Sequence, residues 1–143
     1  MKKFLQKKLN QKGLTLVELL AVIVILGIIA AIAVPAIGNI IENTKYNAVK
    51  ADALNALNAA NMYFTETPKE NSVTIETLVT GGYLENAGKL PPTGTVANGN
   101  PKKISTAAID FAGGKTVTFT GATIDSINAD TTKGSAVTAQ TIN

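Results

Sequence analysis

QKGLTLVELLAVIVILGIIAAIAVPA, residues 11–36, sets one carboxylate, Glu18, at the edge of an otherwise unbroken apolar run. Beyond it, the 23 residues from Leu19 to Ile41 carry no formal charge. A helix of that length crosses a hydrocarbon core of roughly 30 Å. Upstream lie Lys2, Lys3, Lys7, Lys8 and Lys12, a basic block of the kind that stays on the cytoplasmic side of a span. The part beyond the span is therefore expected outside. A carboxylate near such a span is an energetic cost, and a residue of this kind usually has a partner.

The remaining composition narrows the choices. The chain has 143 residues and a formal net charge of +3, but the basic leader supplies that excess. Past Gly13 there are 8 Lys against 10 Asp and Glu, a formal charge of −2. A nucleic-acid surface needs clustered cations on the folded part, so DNA binding is not indicated. There are no cysteines and no histidines. Cys/His zinc sites, Cys nucleophiles and Ser-His-Asp arrangements are excluded. The expectation is a protein that is not an enzyme and uses no cofactor and no metal.

Periodicity divides the chain further. From Leu14 to about Glu66 only Pro35 interrupts helical patterning, which predicts one long helix reaching roughly 80 Å at 1.5 Å per residue. Residues 14–41 are apolar all round, as in a lipid-embedded or buried helix. Residues 42–66 are amphipathic, with Tyr46, Val49, Ala53, Leu57, Ala60 and Phe64 on one stripe and Asn47, Asn58 and Asn61 opposite. Residues 67–143 are expected to form a small head. It opens with a short helix (74–81) capped by Thr74, with Leu78 and Val79 facing inward, and ended by Gly81-Gly82. Residues 88–101, GKLPPTGTVANGNP, read as a surface loop. About four antiparallel strands come next. Ile109 and Phe111 alternate in one strand and Val117 and Phe119 in the next, with Gly113-Gly114 as the hairpin turn. Ile124 and Ile127 suggest a third strand, and SAVTAQTIN (135–143) a fourth. The predicted fold is α+β, a long N-terminal helix packed on a small antiparallel sheet.

KGLTLVELL, followed by about twenty apolar residues and a proline near their end, resembles the class III signal of type IV pilins and related pseudopilins. The resemblance implies that residues 1–13 are a leader, cut after Gly13 by a prepilin peptidase that also methylates the new amine of Leu14. Glu18 then stands fifth in the cut chain, where the family carries a glutamate, and Pro35 stands twenty-second. The first place is usually Phe in the family, and Leu14 offers similar apolar bulk. By this analogy Glu18 of an incoming subunit pairs with the terminal amine of one already in a helical homo-oligomeric filament. Gly27 and Pro35 bound a segment that the resemblance suggests can lose helical form on packing; a simple proline kink is the plainer alternative. The implied partners are the peptidase, membrane lipid before assembly, and a pilus assembly machinery of inner-membrane platform and ATPase. The implied location is first the cytoplasmic membrane and then a cell-surface pilus, with motility, adhesion, DNA uptake and secretion all open as its role.

The same residues admit alternative readings. A pseudopilin of a type II secretion or competence system shares the N-terminal signal. A secretory signal cut near AIA, Ala31 to Ala33, would discard Glu18 and most of the helix, and its apolar region is long for that role. An uncut anchor could instead carry a monomeric extracellular binding domain. The head's own candidates are weak. Asp110, Asp125 and Asp130 could suggest calcium but read as solvated turn and strand residues. Lys102-Lys103 reads as a strand edge, and Tyr46 and Tyr63 as core or subunit contacts. ANGNP, 97–101, lacks the strand–loop–helix setting of a phosphate loop.

Overall fold

The computed structural model describes the backbone of residues 2–143 and the side chains of residues 10–143. The side chains of Lys2, Lys3, Lys7 and Lys8 lie outside the described residues. The chain divides into two units, residues 1–38 and 39–143.

Helix α1 runs from Lys2 to Glu66, and so begins ahead of Leu14, within the stretch expected to be a leader. In the first unit it is helical on both sides of Gly27 and Pro35. Its large apolar side chains from Leu14 to Ile41 are 48–71% exposed. In the second unit the six stripe residues Tyr46, Val49, Ala53, Leu57, Ala60 and Phe64 are buried, joined by Ala56 and Ala59. Asn47, Asn58 and Asn61 are exposed. The helix ends where the Thr67 amide and hydroxyl both donate to the Tyr63 carbonyl, at 2.9 and 2.7 Å, and Pro68 cannot extend the ladder.

A mixed, six-stranded sheet completes the α+β head. Strand β1 (Ser72–Thr74) pairs antiparallel with β2 (Thr95–Ala97), and β2 with β3 (Lys103–Ser105). Strands β3 and β4 (Ile109–Ala112) both run antiparallel to β5 (Lys115–Ala122), β4 at its start and β3 at its end. Gly113 and Gly114, with φ of 57° and 90°, make the β4–β5 turn; only residues tolerating positive φ suit a turn of this hand. Ile109, Phe111, Val117 and Phe119 point into the core as their alternation predicts. The short helix α2 is Ile75–Thr80, with Thr74 as N-cap and Gly81 at its end. Leu78 is buried and Val79 partly so.

Four expectations for the head need correction. The sheet is not wholly antiparallel: β6 (Ala139–Ile142) lies parallel to β5, from Thr116↔Ala139 to Phe119↔Ile142. The sixteen-residue connection from 123 to 138 is long enough for the crossover that a parallel pair requires. There are six strands rather than about four. Ile124 and Ile127 belong to a helix, α3 (Ile124–Ala129), not a strand. Their spacing of three is helical, and Thr123 with Ser126 forms a capping box at its start. The segment 88–101 is not loop throughout, because β2 lies within it, paired with β1 and β3, and its Val96 is buried.

The segment after α3 is fastened to α1 rather than left on the surface. A Cβ on Gly134 would stand 2.6 Å from Tyr46 Cβ and 2.8 Å from the Glu42 carbonyl oxygen, so only glycine fits there. The Ser135 amide donates to Asn43 Oδ1 at 2.9 Å. Lys115 Nζ bridges the Glu42 carboxylate (2.6 Å) and the Ser135 carbonyl (3.0 Å).

Candidate functional site

In the first unit the residues singled out by sequence lie along one exposed helical segment. Leu14 is exposed, as is Glu18. A Cβ added at Gly13, Gly27 or Gly38 would meet no atom within 4 Å. These glycines therefore answer to no contact among the described residues. The Thr15 hydroxyl donates to the Gln11 carbonyl at 3.0 Å, across the Gly13–Leu14 bond. The ion pairs among the described residues are Lys50–Asp130 and Lys115–Glu42, and neither involves Glu18. By length and composition α1 has one stretch able to cross a membrane.

A carboxylate outside those ion pairs, at the head of an uncovered apolar helix, marks a contact surface suited to lipid or to other helices. Residues 8–34 match the prokaryotic N-terminal methylation motif. The motif and the long apolar helix fit a type IV pilin with a class III signal peptide. It marks a prepilin peptidase substrate, pilin-like or pseudopilin-like, destined for a filament. Gly13, Leu14, Glu18 and Gly27 fall inside the matched residues, and Pro35 stands immediately after them. An apolar helix carrying the methylation motif suits membrane anchoring before assembly. No match was found to a curated protein or to a solved structure.

In the second unit the structure joins residues that the sequence leaves apart. Asp130, read from sequence as solvated, is drawn against α1, with only 9% of its side chain exposed. Tyr46 Oη donates to its Oδ2 at 2.6 Å, and Thr132 Oγ1 to its Oδ1 at 2.6 Å. Lys50 Nζ stands 3.2 Å from Oδ2 and donates to the Asp130 backbone carbonyl at 2.7 Å. Burial alone would raise the Asp130 pKa. The hydrogen bonds from Thr132, Tyr46 and Lys50, with the lysine's charge, outweigh burial and hold it below its ordinary value. Burial, reinforced by the bond to Asp130, keeps the Tyr46 hydroxyl protonated well beyond the usual phenol range. Tyr46 also meets Phe111 edge to face, ring centres 5.2 Å apart. The cluster fastens the C-terminal part of the head to α1 with its polar groups partnered.

The other head candidates fall apart in space. Asp110 is exposed and accepts from the Gly114 amide at 3.0 Å, closing the hairpin turn, while Asp125 is exposed in the first turn of α3. Among the described residues no group of three or more acidic side chains could hold a metal ion. Lys103 is exposed, whereas Lys102 lies over the Phe64 ring, 5.6 Å from its centre. Tyr63 is half-buried between Phe64 and Tyr83, and the Tyr83 hydroxyl donates to Glu66.

The lowered Asp130 pKa has a testable consequence. A depressed carboxylate contributes stability above its unfolded value and loses it as pH falls through the folded value. Head stability measured by denaturant titration is expected to be flat from neutrality down to about 4, then to fall. Asp130→Asn is expected to be less stable at neutral pH and to show a shallower fall in acid. Parallel curves for the two proteins would show that Asp130 carries none of the acid sensitivity.

Proposed function

We propose that this chain is the structural subunit of an extracellular type IV pilus, without enzymatic activity. The observation that carries the reading is the methylation motif on a helix whose large apolar side chains are exposed. The chain is inserted with its lysine-rich leader in the cytoplasm, because cations resist transfer across the membrane. A prepilin peptidase hydrolyses the Gly13–Leu14 bond and a methyl donor modifies the Leu14 amine. The assembly platform and its ATPase then draw the helix out of lipid into a bundle of identical helices. Leaving lipid for other apolar helices gives packing rather than a fresh hydrophobic gain. The axial register therefore has to come from polar pairing. Glu18 supplies it by meeting the terminal amine of a subunit already in place, and the head, residues 67–143, coats the fibre.

The intact mass of the protein sheared from the producing cell's surface tests this directly. The expected species starts at N-methylated Leu14 and is abundant in the sheared fraction. The same species confined to the membrane would support a pseudopilin of a secretion or DNA-uptake system instead. A start near Val34, or an uncut Met1, would end the pilin reading and support a secreted or anchored domain.

A further inference from the structure

In the uncut chain Thr15 sits mid-helix, its hydroxyl bonded back to the carbonyl of Gln11 four residues earlier. Cleavage after Gly13 removes that carbonyl; this step belongs to the proposed pilin function, and the switch argued from it depends on that function. Cleavage also removes the carbonyls of Lys12 and Gly13, the i−4 acceptors for the amides of Leu16 and Val17. The new first residue, Leu14, carries a cation at the positive end of the helix dipole, an unfavourable place for it. The old first turn cannot survive unchanged.

We propose that cleavage rebuilds this turn as a capping box, with Thr15 as N-cap and Glu18 as the third helical residue. The Thr15 hydroxyl oxygen accepts from the Glu18 amide, and the Glu18 carboxylate accepts from the Thr15 amide. Leu14, now outside the helix, folds over Leu19, the fourth helical residue, as a hydrophobic staple. LTLVEL, residues 14–19, carries every residue type this arrangement needs at its required place. In the uncut chain it cannot form, because helix α1 continues to Lys2 and the Thr15 hydroxyl is committed to Gln11.

The consequence lies in how Glu18 reaches a neighbour. A carboxylate has roughly four acceptor positions, so the bond to the Thr15 amide leaves room for the amine of another subunit. The cap holds the carboxylate in one orientation and eases its stay in lipid before docking. Thr15 is then a positioning residue acting through Glu18, and cleavage is what switches the carboxylate into its docking geometry.

The test uses wild type, Thr15→Val and Thr15→Ser, each purified from the producing cell as the cut chain and as a peptidase-blocked, uncut precursor, in detergent micelles. Amide hydrogen exchange at Glu18 is read alongside the intact mass and the yield of sheared fibre. In the cut chain, Thr15→Val is expected to exchange about fivefold faster at Glu18 than wild type, the usual effect of losing an N-cap. Thr15→Ser, which keeps the hydroxyl, is expected to restore both the protection and the fibre yield. The precursor is expected to show no such difference. A cut chain in which Thr15→Val matches wild type, or a precursor showing the same effect, overturns the capping box while leaving cleavage established. A wild-type chain that is never cut after Gly13 overturns the processing reading, and the cap with it.

Discussion

Glu18→Ala is expected to abolish sheared fibres while the protein is still made, inserted and cut to a chain beginning at methylated Leu14. An unpaired carboxylate in the membrane costs roughly 2.5–3.5 kcal/mol on insertion scales. In the proposed filament, docking against a terminal amine relieves what remains of that cost, a bias toward the fibre of up to about two orders of magnitude. Alanine is content in lipid and has no reason to leave it. Glu18→Gln is expected to behave much like alanine, because a neutral amide attracts a cationic amine only weakly. The measurements are intact mass on the membrane fraction and pilin abundance in the sheared fraction. Wild-type fibre yield from Glu18→Ala would show that register is set elsewhere on the helix.

The second large effect is expected in the head. Tyr46 is fully buried and joins α1 to the segment after α3. Tyr46→Ala is expected to destabilise the head by about 4 kcal/mol, as truncation of a buried aromatic typically does. The loss has two parts, and Tyr46→Phe separates them. Phenylalanine keeps the ring against Phe111 but leaves Asp130 without its 2.6 Å donor. That change is expected to cost about 2 kcal/mol, the usual range for a hydrogen bond to a charged group. Chemical denaturation of the purified protein in detergent reads both. If Tyr46→Phe is as stable as wild type, Thr132 and Lys50 satisfy Asp130 without help. If Tyr46→Ala costs less than about 1 kcal/mol, well under the range for a buried aromatic, the C-terminal segment is held by its other contacts, at Asn43 and Glu42.

Glu18 and Tyr46 differ in how much of their role can be read in one dimension. Glu18 is visible because its oddness is local, a charge next to 23 residues without one. Tyr46 shows in the sequence only as one member of a helical stripe. Its pairing with Asp130, 84 residues later, has no sequence signal. Asp130 itself looks like a turn residue among polar neighbours, and only the return of the chain onto α1 makes it a buried, ion-paired group. The same holds for Gly134, whose need for glycine comes from the Glu42 backbone it rests on.

Secondary structure divides along the same line. The α1 stripe, the Thr74 cap and the Gly113-Gly114 turn are local chemistry, and the chain's order carries them. Ile124 and Ile127 carry a helical spacing that a tendency to extend the neighbouring strands can mask, and the Thr123–Ser126 box decides the matter. Strand β2 is three residues inside a Gly- and Pro-rich stretch, too short to show a period. It exists because β1 and β3 flank and pair with it, and Val96 is buried in register with Val73 and Ile104.

The sequence by itself therefore determined the basic N-terminal block, the apolar run, the place of Glu18 and the amphipathic half of α1, because each rests on charge and periodicity among near neighbours. The tertiary structure alone decided the order of the six strands, the parallel placing of β6 and the Tyr46–Asp130–Lys50 fastening. Those depend on which distant segments share one core, and a chain's local preferences leave that choice open until packing makes it.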